Sequence, residues 1–109
     1  MRILLGFPAI TIAPGETGET STTIEADRLA ATRLVASTPV SENAAELDAV
    51  LLDDVLSIGW SALSSGEDGP RTSTPSTPVE MRKGQRVTVR LKNHSKTPAP
   101  FFVSMLGNA

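Results

Sequence analysis

Gln85-Arg86-Val87-Thr88-Val89-Arg90-Leu91-Lys92 decides the fold. Val87, Val89 and Leu91 fall on one face of an extended chain, and Arg86, Thr88, Arg90 and Lys92 fall on the other. Side chains alternate across a strand, so this is a half-buried antiparallel strand with one face in a core and one in water. Before it, Val79-Glu80-Met81-Arg82 runs into a Lys83-Gly84 turn. After it, Asn93-His94-Ser95-Lys96 turns, Thr97 to Pro100 extends, and Phe101 to Leu106 forms a last strand. In that last strand Phe101, Val103 and Met105 share one face, while Phe102, Ser104 and Leu106 share the other. One of these faces enters the core; the other sits under a loop or meets another chain.

The same short rhythm fills the N-terminal half. Met1 to Leu5 and Ala9 to Ala13 are apolar runs, and Pro14 to Gly18 is a turn built on proline's fixed φ and glycine's tolerance of positive φ. Glu19 to Glu25, rich in threonine, reads as a solvated or edge strand, and Arg28 to Ala36 as another strand. Ser41 to Leu47 is the one helix-compatible piece, with Ser41 as its cap, and it is too short to stand alone. Val50 to Ile58 is a strand interrupted by Asp53-Asp54. Ser64 to Pro70 is a loop, and Thr72 to Pro78 is a Ser/Thr/Pro tract whose prolines confine it to an edge or a surface arm. Seven or eight short strands at this spacing predict an all-β fold, an antiparallel β-sandwich or jelly-roll-like domain with at most one short helix. Residues 1–109 make a single domain with a Ser/Thr/Pro-rich loop or arm at about 64–78.

Composition limits the function. The 109 residues are 39% hydrophobic and only 4% aromatic, so the core is aliphatic and thin. Net charge is −2, which argues against non-specific nucleic-acid binding and against anionic membranes. No cysteine is present, which excludes disulfides, thiolate nucleophiles and Cys-based metal sites. The apolar run at Ile3 to Leu5 stops at Gly6 and Pro8, well short of a signal peptide or a membrane span.

No catalytic constellation emerges. His94 is the only histidine, and Asn93 and Ser95 beside it are poor transition-metal ligands. Asp53 and Asp54 are adjacent, so on a strand they face opposite ways and form no acid/base pair. Glu67 and Asp68 match no calcium-loop template. Gly15-Glu16-Thr17-Gly18 and Gly66-Glu67-Asp68-Gly69 lack the Lys-Ser/Thr ending of a phosphate loop. Asn93-His94-Ser95 is a glycosylation sequon. Arg82, Lys83, Arg86, Arg90 and Lys92 form a basic strip, either a solvated strand face or a docking face for an acidic partner. Trp60 is either a core plug or an interface anchor. No enzyme activity, cofactor or metal is expected. The interface candidates are Trp60, Phe101, Phe102, Arg86 and Arg90.

The order of these features resembles small β-sandwich virion proteins of bacteriophages, the capsid decoration (cement) and minor capsid proteins. The resemblance rests on Pro14 to Ile24, on Arg28-Leu29 with Arg33-Leu34-Val35, on Val50 to Gly59, and on Lys83 to Val89 with Asn93 and Phe102 to Gly107. It implies a non-enzymatic structural protein, made in the host cytoplasm and located in the virion. Its partners would be the major capsid protein or other virion chains, with a homo-oligomer, a trimer above all, and without membrane or nucleic acid. The alternative is a carbohydrate-type ligand-binding β-sandwich module.

Overall fold

The computed structural model describes residues 1–39, 44–65 and 71–109. The strands are β1 (Arg2–Gly6), β2 (Ile10–Ile12), β3 (Thr17–Thr23), β4 (Arg28–Ser37), β5 (Ala45–Leu52), β6 (Val55–Ser57), β7 (Ser64–Ser65), β8 (Arg71–Ser73), β9 (Val79–Arg82), β10 (Arg86–Asn93) and β11 (Ala99–Asn108). No helix occurs among the described residues. Seven strands form a long sheet in the order β1-β11-β4-β8-β7, with β2 alongside β11 and β9 alongside β4. Four form a smaller sheet, β3-β10-β5-β6. The pairings between named strands are antiparallel, and the two sheets pack as a sandwich, as the alternation of residues 85–92 predicts.

The core follows from that alternation. Val87, Val89 and Leu91 of β10 are fully buried and meet Leu29, Leu34 and Ala36 of β4 and Phe101 and Met105 of β11. Each of these valine, leucine, phenylalanine and methionine side chains contributes about 1.5–3 kcal/mol by leaving water. At the end of β10 the side chain of Asn93 is also fully buried, tying β10 to Ile12 and Thr97 by hydrogen bonds.

Two local expectations are corrected, and two are placed in the fold. Ala45 to Leu47 is strand, because these residues pair with Asn93, Lys92 and Leu91 of β10; a marginal helix cannot compete with antiparallel pairing along the β10 edge. The rest of the expected helix, residues 40–43, lies outside the described residues. Asp53-Asp54, which interrupts the Val50 to Ile58 run, is the two-residue turn of a β5–β6 hairpin. Both residues have positive φ, 50° and 66°, the signature of the turn that matches strand twist. Asp53 holds the turn to β10, since its backbone N–H donates to Arg86 O at 2.8 Å and its Oδ1 accepts from Arg86 N at 2.9 Å.

The expected arm at 64–78 is partly sheet: Arg71 to Ser73 pairs with Leu34 to Ala36 in the long sheet, and Ser73 is buried. Residues 66–70 of that expectation lie outside the described residues. Arg71 makes this possible. It lies opposite Ala36 on the inward side, and its guanidinium donates to Ala45 O at 2.6 Å and Leu63 O at 2.7 Å, stitching the long sheet to the small one. Lys83-Gly84 is a turn, as expected, and one that does not join neighbours in a single sheet. It arches between the sheets, from β9 beside β4 to β10 beside β3. Gly84 takes φ 90° there, and its N–H donates to Ile24 O at 2.9 Å.

The hairpin offers a stability test. Aspartate adopts positive φ only at a cost, and glycine does not. Asp54→Gly removes that cost and loses one exposed ion pair to Arg86. The expected result is a gain of about 0.5 kcal/mol in urea unfolding, with an unchanged m value.

Candidate functional site

The two outer faces of the sandwich differ in kind. On the small sheet the outward side chains form cross-strand polar pairs. Arg90 of β10 reaches Glu19 of β3 at 2.6 Å and Asp48 of β5 at 3.7 Å, and Arg86 reaches Asp54 at 2.7 Å. Ser21 and Thr88 share a hydrogen bond at 2.7 Å. His94 Nε2 lies 2.6 Å from Glu46 Oε2. The hydrogen bond that Arg90 donates to Glu19, reinforced by the carboxylate's charge, raises the Arg90 pKa above its ordinary value. This is how a solvated sheet face is built.

The long sheet carries an apolar strip on its outer face instead. Leu4 of β1 stands directly opposite Leu106 of β11, and Val35 of β4 stands opposite Ser104. Phe102 follows on the same side of β11. Leu4 is 67% exposed and Phe102 50%. Around this strip the outward charges are basic. Arg2 precedes Leu4 on β1, Arg33 lies opposite Leu106, and Arg28 lies opposite Arg82. The one outward carboxylate among these positions, Glu80, hydrogen-bonds Arg28 at 2.6 and 2.8 Å, and that bond holds its carboxyl below the usual range.

A second apolar surface lies at the free edge of the small sheet. Val55, Leu56 and Ile58 are 68%, 58% and 81% exposed. Strand β6 pairs only with Val50 to Leu52, so the Ala45–Ala49 half of β5 has no strand on that side among the described residues. The segment from Ser57 to Ala62 curves away from it and leaves a groove of about 400 Å³, lined by Leu47, Leu56, Ile58 and Trp60. The rim of this corner is acidic, with Asp48, Asp53 and Asp54 exposed.

The five interface candidates are thereby sorted. Phe101 is a core residue with no exposed surface, while its neighbour Phe102 faces outward. Trp60 packs partly against the core, its Nε1–H donates to Ser57 Oγ at 3.0 Å, and its free side lines the groove. Arg86 and Arg90 are held in ion pairs on the polar face. The expected basic strip is not one surface: the arch at Lys83-Gly84 sends Arg82 to the long sheet and Arg86, Arg90 and Lys92 to the small one. Asn93 of the sequon is fully buried with its amide hydrogen-bonded, so the folded chain does not present it for glycosylation. Among the described residues no three His, Cys, Asp or Glu side chains cluster as a metal site, and no helix is long and apolar enough to cross a membrane.

Sequence reasoning missed Leu4, Val55, Leu56 and Ile58. The signal was present: three consecutive apolar residues in a strand, as in Ile3-Leu4-Leu5, must turn one outward.

This geometry is that of an antiparallel β-sandwich. No family model and no curated protein matches the chain. Among solved structures it is similar to the crystal structure of Drosophila NLP-core, which provides insight into pentamer formation and histone binding. Identity is 17%, the match covers 94% of this chain and 99% of that one, and the TM-score is 0.43. At this likeness nothing of that protein's partner or assembly passes to the present chain.

NLP-core is not a phage protein, and no comparison supports the virion reading. The decoration or cement role, the capsid partner, the trimer, the exclusion of nucleic acid and the virion location are withdrawn with it. The physical reason is plain. The stretches that carried the resemblance are β3, β4, the β5–β6 hairpin, and β10 with β11. These are shapes that any two-layer sandwich supplies, and a shared fold carries no shared function.

Proposed function

We propose that this chain is a non-catalytic, protein-binding β-sandwich module whose docking surface is the outer face of its long sheet. The observation that carries the reading is the strip of Leu4, Leu106, Val35 and Phe102 on the outer face of the long sheet, with Leu4 and Phe102 exposed and Leu106 and Val35 half-buried beside them. Contiguous exposed apolar surface rimmed by charge is the mark of a protein-binding face. A half-exposed phenylalanine with arginines around it supplies the residue types that anchor such contacts.

A photoreactive benzoylphenylalanine at position 102, placed in the cells that make the chain, tests this. The expected result is one discrete protein adduct, absent when the same group replaces Thr17, which is exposed on β3 of the other sheet. No adduct at position 102, or equal adducts at both positions, overturns the reading.

A further inference from the structure

We infer that the partner of the long-sheet face is a second copy of this chain, which docks its acidic β6 corner there in a head-to-tail contact. The inference rests on the protein-binding reading above and names the partner. Three features carry it.

Among the described residues two apolar surfaces are open, and they lie on different sheets of the sandwich: Leu4 and Phe102 on the long sheet, Leu56 and Ile58 at the free edge of the small one. A single chain cannot bring them together, and two copies can.

Their rims carry opposite charge. Among the described residues, Arg2, Arg28, Arg33 and Arg82 face outward on the long sheet against the single carboxylate of Glu80. Asp48, Asp53 and Asp54 surround the β6 corner, three carboxylates against Arg86, which pairs with Asp54, and Arg90, which lies 3.7 Å from Asp48. Such complementarity steers two surfaces together and fixes their orientation.

The same charges disfavour the symmetric alternative. Packing two long-sheet faces on each other would set Arg2 and Arg33 of one copy against those of its mate, and like charges brought together at an interface are costly. The contact is therefore heterologous. Repeated, it produces a ring if the rotation closes and a filament if it does not.

The chain has no cysteine, so single cysteines report the contact cleanly. Leu4→Cys and Ile58→Cys both replace exposed side chains and leave the core untouched. Under mild oxidation of the mixed variants, the expected product is the mixed 4–58 disulfide dimer, with little dimer from either variant alone. Adding Arg33→Glu to the Leu4→Cys chain is expected to lower that yield by about threefold to fivefold, the contribution of one rim charge. Adding Asp54→Lys to the Ile58→Cys chain is expected to restore it.

Dimers from Leu4→Cys alone, as abundant as the mixed product, establish a face-to-face contact and overturn the inference. A yield indifferent to charge reversal overturns it too. No disulfide product, with the photoadduct at position 102 still formed, shows that the face binds a different protein and sinks this inference alone. Loss of both products removes the protein-binding reading as well.

Discussion

Asn93→Ala is expected to lower the unfolding free energy by about 3 kcal/mol, the cost of orphaning buried polar groups plus a small cavity. The side chain sits at the end of β10 with no exposed surface. Its Nδ2 donates to Ile12 O at 2.8 Å and to Thr97 O at 3.0 Å. Its Oδ1 accepts from Ser95 N at 2.8 Å and Ser95 Oγ at 2.7 Å. One amide thus joins β2, the end of β10 and the turn into β11. Water can replace it at Ser95, which is partly exposed, and cannot easily reach Ile12, which is buried.

Asn93→Asp separates shape from chemistry. The aspartate keeps the size and the Ser95 contacts but points an acceptor at the two carbonyls that the amide served. Burial and those carbonyls disfavour its charged form, so its folded pKa rises above the unfolded value. Stability tied to such a group is present at low pH and lost as the pH rises through the folded value. Urea unfolding at pH 4 and pH 8 should therefore find Asn93→Asp closer to wild type at the lower pH. Equal destabilisation at both, or an Asn93→Ala cost below about 1 kcal/mol, would show that water replaces the network freely.

The sequence displays what repeats with period two. Residues 85–92 and 101–106 announce their buried faces, and both sheets are founded on them: β10 is central in the small sheet and β11 pairs with β4 in the long one. It hides what depends on partners distant in the chain. Residues 45–47 look helical in isolation because alanine and glutamate favour helix, and only the β10 edge makes them strand. Arg71 reads as a surface charge in a polar tract, yet its fork finds the Ala45 carbonyl across the sandwich and the Leu63 carbonyl just before β7. The docking face is half visible. The two-faced apolar pattern of 101–106 exposes Phe102, but Leu4 joins it only because β1 pairs with β11 in the register that sets Leu4 against Leu106. The charge contrast between the faces is not legible at all without the arch at Lys83-Gly84, which divides one run of basic residues between two sheets.

Gly107→Ala is expected to cost about 3 kcal/mol or more, the upper range for forcing atoms into a filled interior. Gly107 sits where β11 and β4 change register, between the Leu106–Arg33 and Gly107–Ala31 pairs. A methyl group there would overlap the Ala30 carbonyl oxygen and lie 2.6 Å from Leu29 Cδ1. Leu29 can rotate or be trimmed; the Ala30 carbonyl is backbone and can move only by parting β4 from β11. That separation would also displace Leu106 from its place beside Leu4, so the variant that still folds should lose the photoadduct at position 102 along with its stability. Two controls fix the cause. Gly6→Ala lies in the same sheet with open space around the added methyl, and should leave urea unfolding within about 0.5 kcal/mol of wild type, because strand glycines impose little beyond their own flexibility. Leu29→Ala added to Gly107→Ala should not restore stability. If it did, the obstacle would be the leucine side chain, and the close backbone approach that requires glycine here would be refuted.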